Sequence, residues 1–198
     1  MSRYVAFEGL EGAGKSTVAE HVAERIGRLG KPVITVREPG GTELGEGIRA
    51  LLLDPTRAIS PWAEAALFAA SRAQLAAEII RPALADGVWV LSDRTVYSSL
   101  AYQGGGRRLG VQAVRELNEI ALDGVWPDRV VLLQVDPEEG LRRQDGTDRI
   151  GSEGLAFHRR VAETFARLAL DEPDRFVVVN THRKLEVIVD EVVGLVLP

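Results

Sequence analysis

No cysteine occurs in the 198 residues, which excludes disulfides and thiolate-bound metals. Basic residues are outnumbered, 24 Lys and Arg against 29 Asp and Glu, for a net charge of -5. That balance offers no general electrostatic case for nucleic-acid binding, so arginine clusters must be read as local sites. No apolar run approaches the length of a membrane span. An apolar run begins within a few residues of the start, leaving no room for a signal peptide, so a cytoplasmic protein is expected. Repeats, low-complexity segments and interdomain linkers are also missing, and residues 1–198 read as one domain. What remains is ordinary for a globular chain with a substantial core, 45% apolar and 27% charged.

Short β-rich runs alternate with longer helical patterns. The runs are Arg3–Glu8, Val33–Arg37, Val88–Ser92, Arg129–Val135 and Arg175–Val179. Near-continuous Val and Leu in several of them predicts strands buried on both faces, hence a parallel sheet. Helical patterns fill Lys15–Leu29, Glu43–Leu53, Pro61–Ala85, Val111–Leu122, Pro137–Arg143, Glu153–Leu170 and Lys184–Val196. Pro82 is expected to kink or interrupt the third of these near its end. Gly30 and Gly87 follow helices as C′ residues, Ser60-Pro61 offers a cap with proline at the first helical position, and Asp136 to Glu139 has capping-box spacing. The expected architecture is a three-layer α/β sandwich, a five-stranded parallel sheet flanked by helices, with ligands beyond the carboxyl ends of the strands.

The strongest motif is Gly9-Leu10-Glu11-Gly12-Ala13-Gly14-Lys15-Ser16, a complete G-x-x-x-x-G-K-S/T loop between a strand pattern and a helix pattern. Gly9, Gly12 and Gly14 allow the backbone to curl into a nest of N–H donors around phosphate oxygens. Lys15 would reach the β- and γ-phosphates and the Ser16 hydroxyl would bind Mg²⁺. The chain therefore handles a nucleoside triphosphate. Asp93-Arg94 ends the third strand run. Beside a phosphate loop, such an Asp helps hold Mg²⁺, and the arginine can fork onto a second phosphate. Taken alone, the pair could equally be a surface ion pair.

Other segments carry weaker signals. Arg37-Glu38-Pro39-Gly40-Gly41 follows the second strand run, where its bend could approach a ligand. Phe68 and Arg72 sit at i and i+4 on one helix face, and Ser99 and Gln103 repeat that spacing with Tyr102 alongside. A ring can stack on a flat base while guanidinium and amide groups read its edge. On spacing alone a core Phe68 and a solvated Arg72 are the stronger alternative. Arg142, Arg143 and Arg149 flank a polar break around Gly146 that reads either as a solvated connection or as a lid over the triphosphate.

In their order along the chain these pieces resemble the bacterial thymidylate kinase family, over nearly the whole length. Phe7-Glu8-Gly9 through Ser16-Thr17, Thr35 through Thr42, Leu67 through Arg72, Asp93-Arg94, Ser98 through Gly104 and Asp148-Arg149 carry the likeness. The resemblance implies a P-loop kinase fold, ATP as co-substrate, Mg²⁺, and phosphoryl transfer to dTMP giving dTDP, in dTTP synthesis. ATP would be held by Gly9, Glu11, Gly12, Ala13, Gly14, Lys15, Ser16 and Thr17, and Mg²⁺ by Ser16 and Asp93. It also implies that Phe68 stacks on thymine, Arg72 donates to O4, and Ser99 and Gln103 lie near N3. Tyr102 would crowd the 2′ side of the sugar, Glu11 meet the 3′-hydroxyl, and Pro39 lie near the thymine methyl. Arg94 and Arg49 would hold the acceptor phosphate. Lys15, Arg94, Arg149 and Arg143 are the implied catalytic residues. The phosphate loop has no basic residue among Leu10 to Ala13, so the cation for the transition state would come from a lid at about 141–153. A homodimer is implied too, and the long helix from Pro61 has apolar or small residues on more than one side. Two rivals stay open: a deoxynucleoside kinase, which needs no clamp for an acceptor phosphate, and a nucleotide-binding module without catalysis.

Overall fold

A computed structural model describes residues 3–143 and 148–197. Five parallel strands form one sheet in the order β2-β3-β1-β4-β5. They are β1 (Tyr4–Glu8), β2 (Val33–Arg37), β3 (Trp89–Asp93), β4 (Arg129–Gln134) and β5 (Phe176–Asn180). The β1 residues are all buried, as are most of β3 and β4, whereas the edge strands β2 and β5 are partly exposed. This is the burial that continuous apolar runs call for in a parallel sheet. Around the sheet lie α1 (Lys15–Arg28), α2 (Glu43–Leu53), α3 (Pro61–Leu75), α4 (Arg81–Ala85), α5 (Val96–Ser99), α6 (Val111–Leu122), α7 (Pro137–Arg142), α8 (Leu155–Asp171) and α9 (Leu185–Val196). In α1, Val18, Ala19, Val22 and Ile26 make the buried stripe of an amphipathic helix. No helix among the described residues is long and apolar enough to cross a membrane.

Two segments differ from the sequence reading. Between α3 and α4, Ala76–Ile80 is a π-helical turn, with the Arg81 N–H bonded to the Ala76 carbonyl five residues back. Pro82, which has no N–H to give, follows at once in the first turn of α4, so its interruption takes the form of a widened turn within a continuing helix. The second is Leu100–Gly106, a further π-helical segment continuing α5, where the periodicity had predicted no helix. Three consecutive glycines hide it. A Cβ on Gly105 would come within 2.0 Å of the Thr164 hydroxyl, and one on Gly106 within 2.6 Å of the Phe157 ring. Close packing of α8 therefore demands the residues that weaken local helix propensity.

Most end signals hold. Gly30 and Gly87 take positive φ after their helices, and Asp136 accepts from the Glu138 and Glu139 N–H groups. The Glu139 carboxylate does not complete a capping box; it turns to Arg142 and Arg143. Ser60 caps α3 through its position before Pro61, without a side-chain hydrogen bond.

Candidate active site

Register brings the loops together. Phe7 of β1 lies level with Asp93 of β3, and Asp93 level with Arg37 of β2. The segments starting at Glu8, Glu38 and Arg94 therefore leave the same edge of the sheet side by side. They wall a cavity of about 340 Å³, a volume typical of small-ligand sites.

The glycine loop forms its floor. Gly9, Gly12 and Gly14 all have positive φ, and Gly14 caps α1. At Gly12 a side chain is also sterically barred, since a Cβ would fall 2.4 Å from the Gly140 carbonyl oxygen and 2.9 Å from the Arg143 Cβ. Arg143, at the end of α7, is thus seated directly against the phosphate loop. Lys15 is buried and donates to the Leu10 carbonyl at 2.8 Å, so its ammonium curls back along the loop. Burial, then the neighbouring Arg94 charge, pushes its pKa down to about 8. Ser16 donates its hydroxyl to the Asp93 carboxylate.

Against the loop stands Arg94, whose backbone has a left-handed φ of 69°, strain of a kind that concentrates at functional sites. Its guanidinium donates to Glu11 at 2.9 Å, to Ser98 at 3.0 Å and to the Gly9 carbonyl at 3.2 Å. Tyr102 also donates to Glu11, at 2.8 Å. Burial alone would raise the Glu11 carboxyl, but Arg94, His158, Lys15 and Tyr102 together hold it well below the usual carboxylate range. Beneath them Glu8 is fully buried and accepts from the N–H and hydroxyl groups of both Thr95 and Ser98, at 2.6 to 3.1 Å. That anchor fixes the start of α5 and, with it, the exit of Arg94.

Most residues picked out in the sequence border this one cavity: Glu11, Gly12, Lys15, Ser16, Pro39, Arg49, Phe68, Asp93, Arg94, Ser99, Tyr102, Gln103 and Arg143. Arg49 reaches it from α2 while donating to the Pro39 carbonyl at 2.9 Å. Gly9, Ala13, Gly14 and Thr17 lie in or just after the loop without lining the cavity.

Two arginines stand elsewhere. Arg72 is only 1% exposed and lies behind the wall, not on it. It donates to Glu38 at 2.7 Å, to the Thr95 carbonyl and Ser99 hydroxyl at 3.1 Å each, and to Asn118. It is therefore neither the solvated charge that spacing favoured nor a residue bordering the cavity. Arg149 bonds the Leu52 carbonyl at 2.8 Å and Glu64 at 2.7 Å. Its neighbour Asp148 instead caps the turn at Ile150 and Gly151. Within the lid segment 141–153, residues 144–147, Gly146 included, lie outside the described residues.

Four contributors escaped the sequence reading. Ser98 and Glu38 border the cavity inside motifs already noted, and position beside Arg94 and Pro39 was the available signal. Burial, the largest effect, pushes the Glu38 carboxyl up to about 7 despite Arg72. Glu64 and His158 are wholly buried, and nothing local marks them. His158 places Nδ1 3.4 Å from Glu11, while its Nε2 has no partner among the described residues.

Comparison with known proteins agrees with this geometry. The family model described as thymidylate kinase matches residues 7–192. Curated thymidylate kinases from Halothermothrix orenii and Lactobacillus acidophilus are each 44% identical to the chain. They cover 96% of it, and the chain covers 93% and 91% of them respectively. A crystal structure of thymidylate kinase from Ehrlichia chaffeensis superposes with a TM-score of 0.82 at 30% identity, over 98% of this chain and 97% of that one.

Proposed function

The chain belongs to the thymidylate kinase family, and from that premise we propose that it transfers the γ-phosphoryl group of ATP to dTMP, giving dTDP and ADP, in dTTP synthesis. One observation carries the reading. A phosphate loop with Lys15 and Ser16 shares a single cavity with a second cationic group, Arg94 and Arg49, and with Phe68 and Gln103. That grouping supports two phosphate sites and a base site in one place.

In this assignment the loop from Gly9 to Thr17 cradles the ATP phosphates, and Lys15 leaves the Leu10 carbonyl to reach the transferring group. Arg94 and Arg49 orient the acceptor phosphate for in-line attack. Ser16 and Asp93 present two hard oxygens, a set that suits Mg²⁺, which takes few protein ligands and keeps the rest for phosphate and water. When bound there, Mg²⁺ would neutralise charge on the β- and γ-phosphate oxygens. Phe68 stacks on thymine, Pro39 sits near its methyl, Ser99 and Gln103 meet its edge, and Arg72 supports Ser99 from behind. Glu11 takes the 3′-hydroxyl beside Tyr102. Of the lid arginines, Arg143 is the one bordering the cavity. We therefore assign it the charge-neutralising role, and assign Arg149 to anchoring the lid on Glu64.

A cytoplasmic homodimer belongs to the same proposal. Trp62 on α3 is 50% exposed, with Ala66 and Ala70 exposed along the same helix, an apolar surface suited to a second copy.

A coupled assay of ADP release with Mg-ATP tests the acceptor. Turnover is expected with dTMP and not with thymidine, because Arg94 and Arg49 then have nothing to hold. Comparable turnover with thymidine would make the chain a deoxynucleoside kinase.

A further inference from the structure

Glu64 so far serves only as the anchor of Arg149, yet it is 0% exposed, in the first turn of α3. A carboxylate buried to that extent is costly unless every lone pair is used. Here they are. Oε1 accepts from the Gln103 amide nitrogen at 2.8 Å and from Arg107 at 3.2 Å. Oε2 accepts from Arg149 at 2.7 Å and from Arg107 at 3.1 Å. Arg149 and Arg107, the latter shared with Glu153, supply three of the donors, and the fourth is the neutral amide that borders the nucleotide cavity.

An ionised carboxylate only accepts, whereas a glutamine amide has one accepting end and one donating end. Facing Glu64, Gln103 must turn its NH₂ inward, and its carbonyl oxygen points the other way. Reversal would set two oxygens against each other in a buried site. The orientation has a chemical consequence, since thymine and uracil carry N–H at N3 while cytosine carries a bare acceptor there. We propose that Glu64 is a specificity-determining positioning residue, which fixes the Gln103 amide so that the site accepts thymine and rejects cytosine. This rests on the assignment of Gln103 to the N3 edge.

The test uses the full chain and compares kcat/KM for dTMP and dCMP. In Glu64→Gln the new carboxamide oxygen takes the Oε2 place, bonded by Arg149 and one Arg107 nitrogen, and its NH₂ takes the Oε1 place facing Gln103, where Arg107 Nε gives up its bond. Gln103 then turns its carbonyl inward and offers NH₂ to the base. The dTMP-to-dCMP ratio is expected to fall at least tenfold, with kcat/KM for dCMP rising in absolute terms. A role confined to holding α3 and the lid together would lower both substrates alike. Should Glu64→Gln fail to fold by circular dichroism, Glu64→Asp keeps the charge for the arginines but draws back from Gln103. It is expected to narrow the ratio as well. A ratio unchanged in whichever variant folds overturns the proposal. Gln103→Leu separates the two levels. If that variant keeps the wild-type ratio, the assignment of Gln103 itself is wrong; if it loses the ratio while the Glu64 variants keep it, only the role of Glu64 falls.

Discussion

Lys15→Ala is expected to reduce turnover about a hundredfold with the fold intact. Its ammonium stands on the phosphate loop at the cavity floor and is bonded to the Leu10 carbonyl. A preorganised donor to charge developing in phosphoryl transfer is worth on the order of 3 kcal/mol, or about two decades in rate. The measurement is kcat at saturating ATP and dTMP, with a thermal melt as control. Turnover within a factor of about two of wild type would remove Lys15 from the mechanism.

Arg72→Ala should act on a different quantity. From the sequence, with Arg72 reading the base, this substitution is expected to lower selectivity more than stability. The burial of Arg72 makes the larger expected effect one on stability. Arg72 and Glu38 form an ion pair with side chains 1% and 3% exposed, and truncation removes the donor that Glu38, Asn118, Ser99 and the Thr95 carbonyl share. Breaking such a pair from one side costs about 3–5 kcal/mol, a large part of the stability of a domain this size. Urea denaturation measures it. Replacing Glu38 by Leu in the same chain should recover part of the loss, because no charge is then left unpaired. A loss below about 1 kcal/mol for Arg72→Ala would mean that the buried cluster contributes little.

What could be read from the chain divides along a physical line. The phosphate loop, Asp93-Arg94 and the strand runs were legible because their chemistry is local. A nest of N–H groups needs glycines at set spacings, and a buried parallel strand needs continuous apolar residues. The segment from Val96 to Gly106 was not legible as a helix, since its glycines answer to Thr164 and Phe157 some fifty residues away. Arg72 and Arg149 were recognisable as special, but their fates depend on Glu38, Asn118 and Glu64, which reach them from elsewhere in the chain. Glu64 itself sits in an unremarkable alanine-rich turn. Spacing can nominate a charged residue; only the packed elements around it decide whether it faces a ligand or another side chain.

Selection of a thymine-bearing monophosphate shows in a competition among bases at constant sugar and phosphate. Initial rates of ADP release with dTMP, dUMP and dCMP, each over a full concentration range, give three values of kcat/KM. A site whose Ser99 and Gln103 match the N3–H edge should reject cytosine strongly, whereas loss of one methyl should cost only about tenfold or somewhat more. The predicted order is dTMP, then dUMP, then dCMP far below both. Equal use of dCMP and dTMP would contradict the account at its centre.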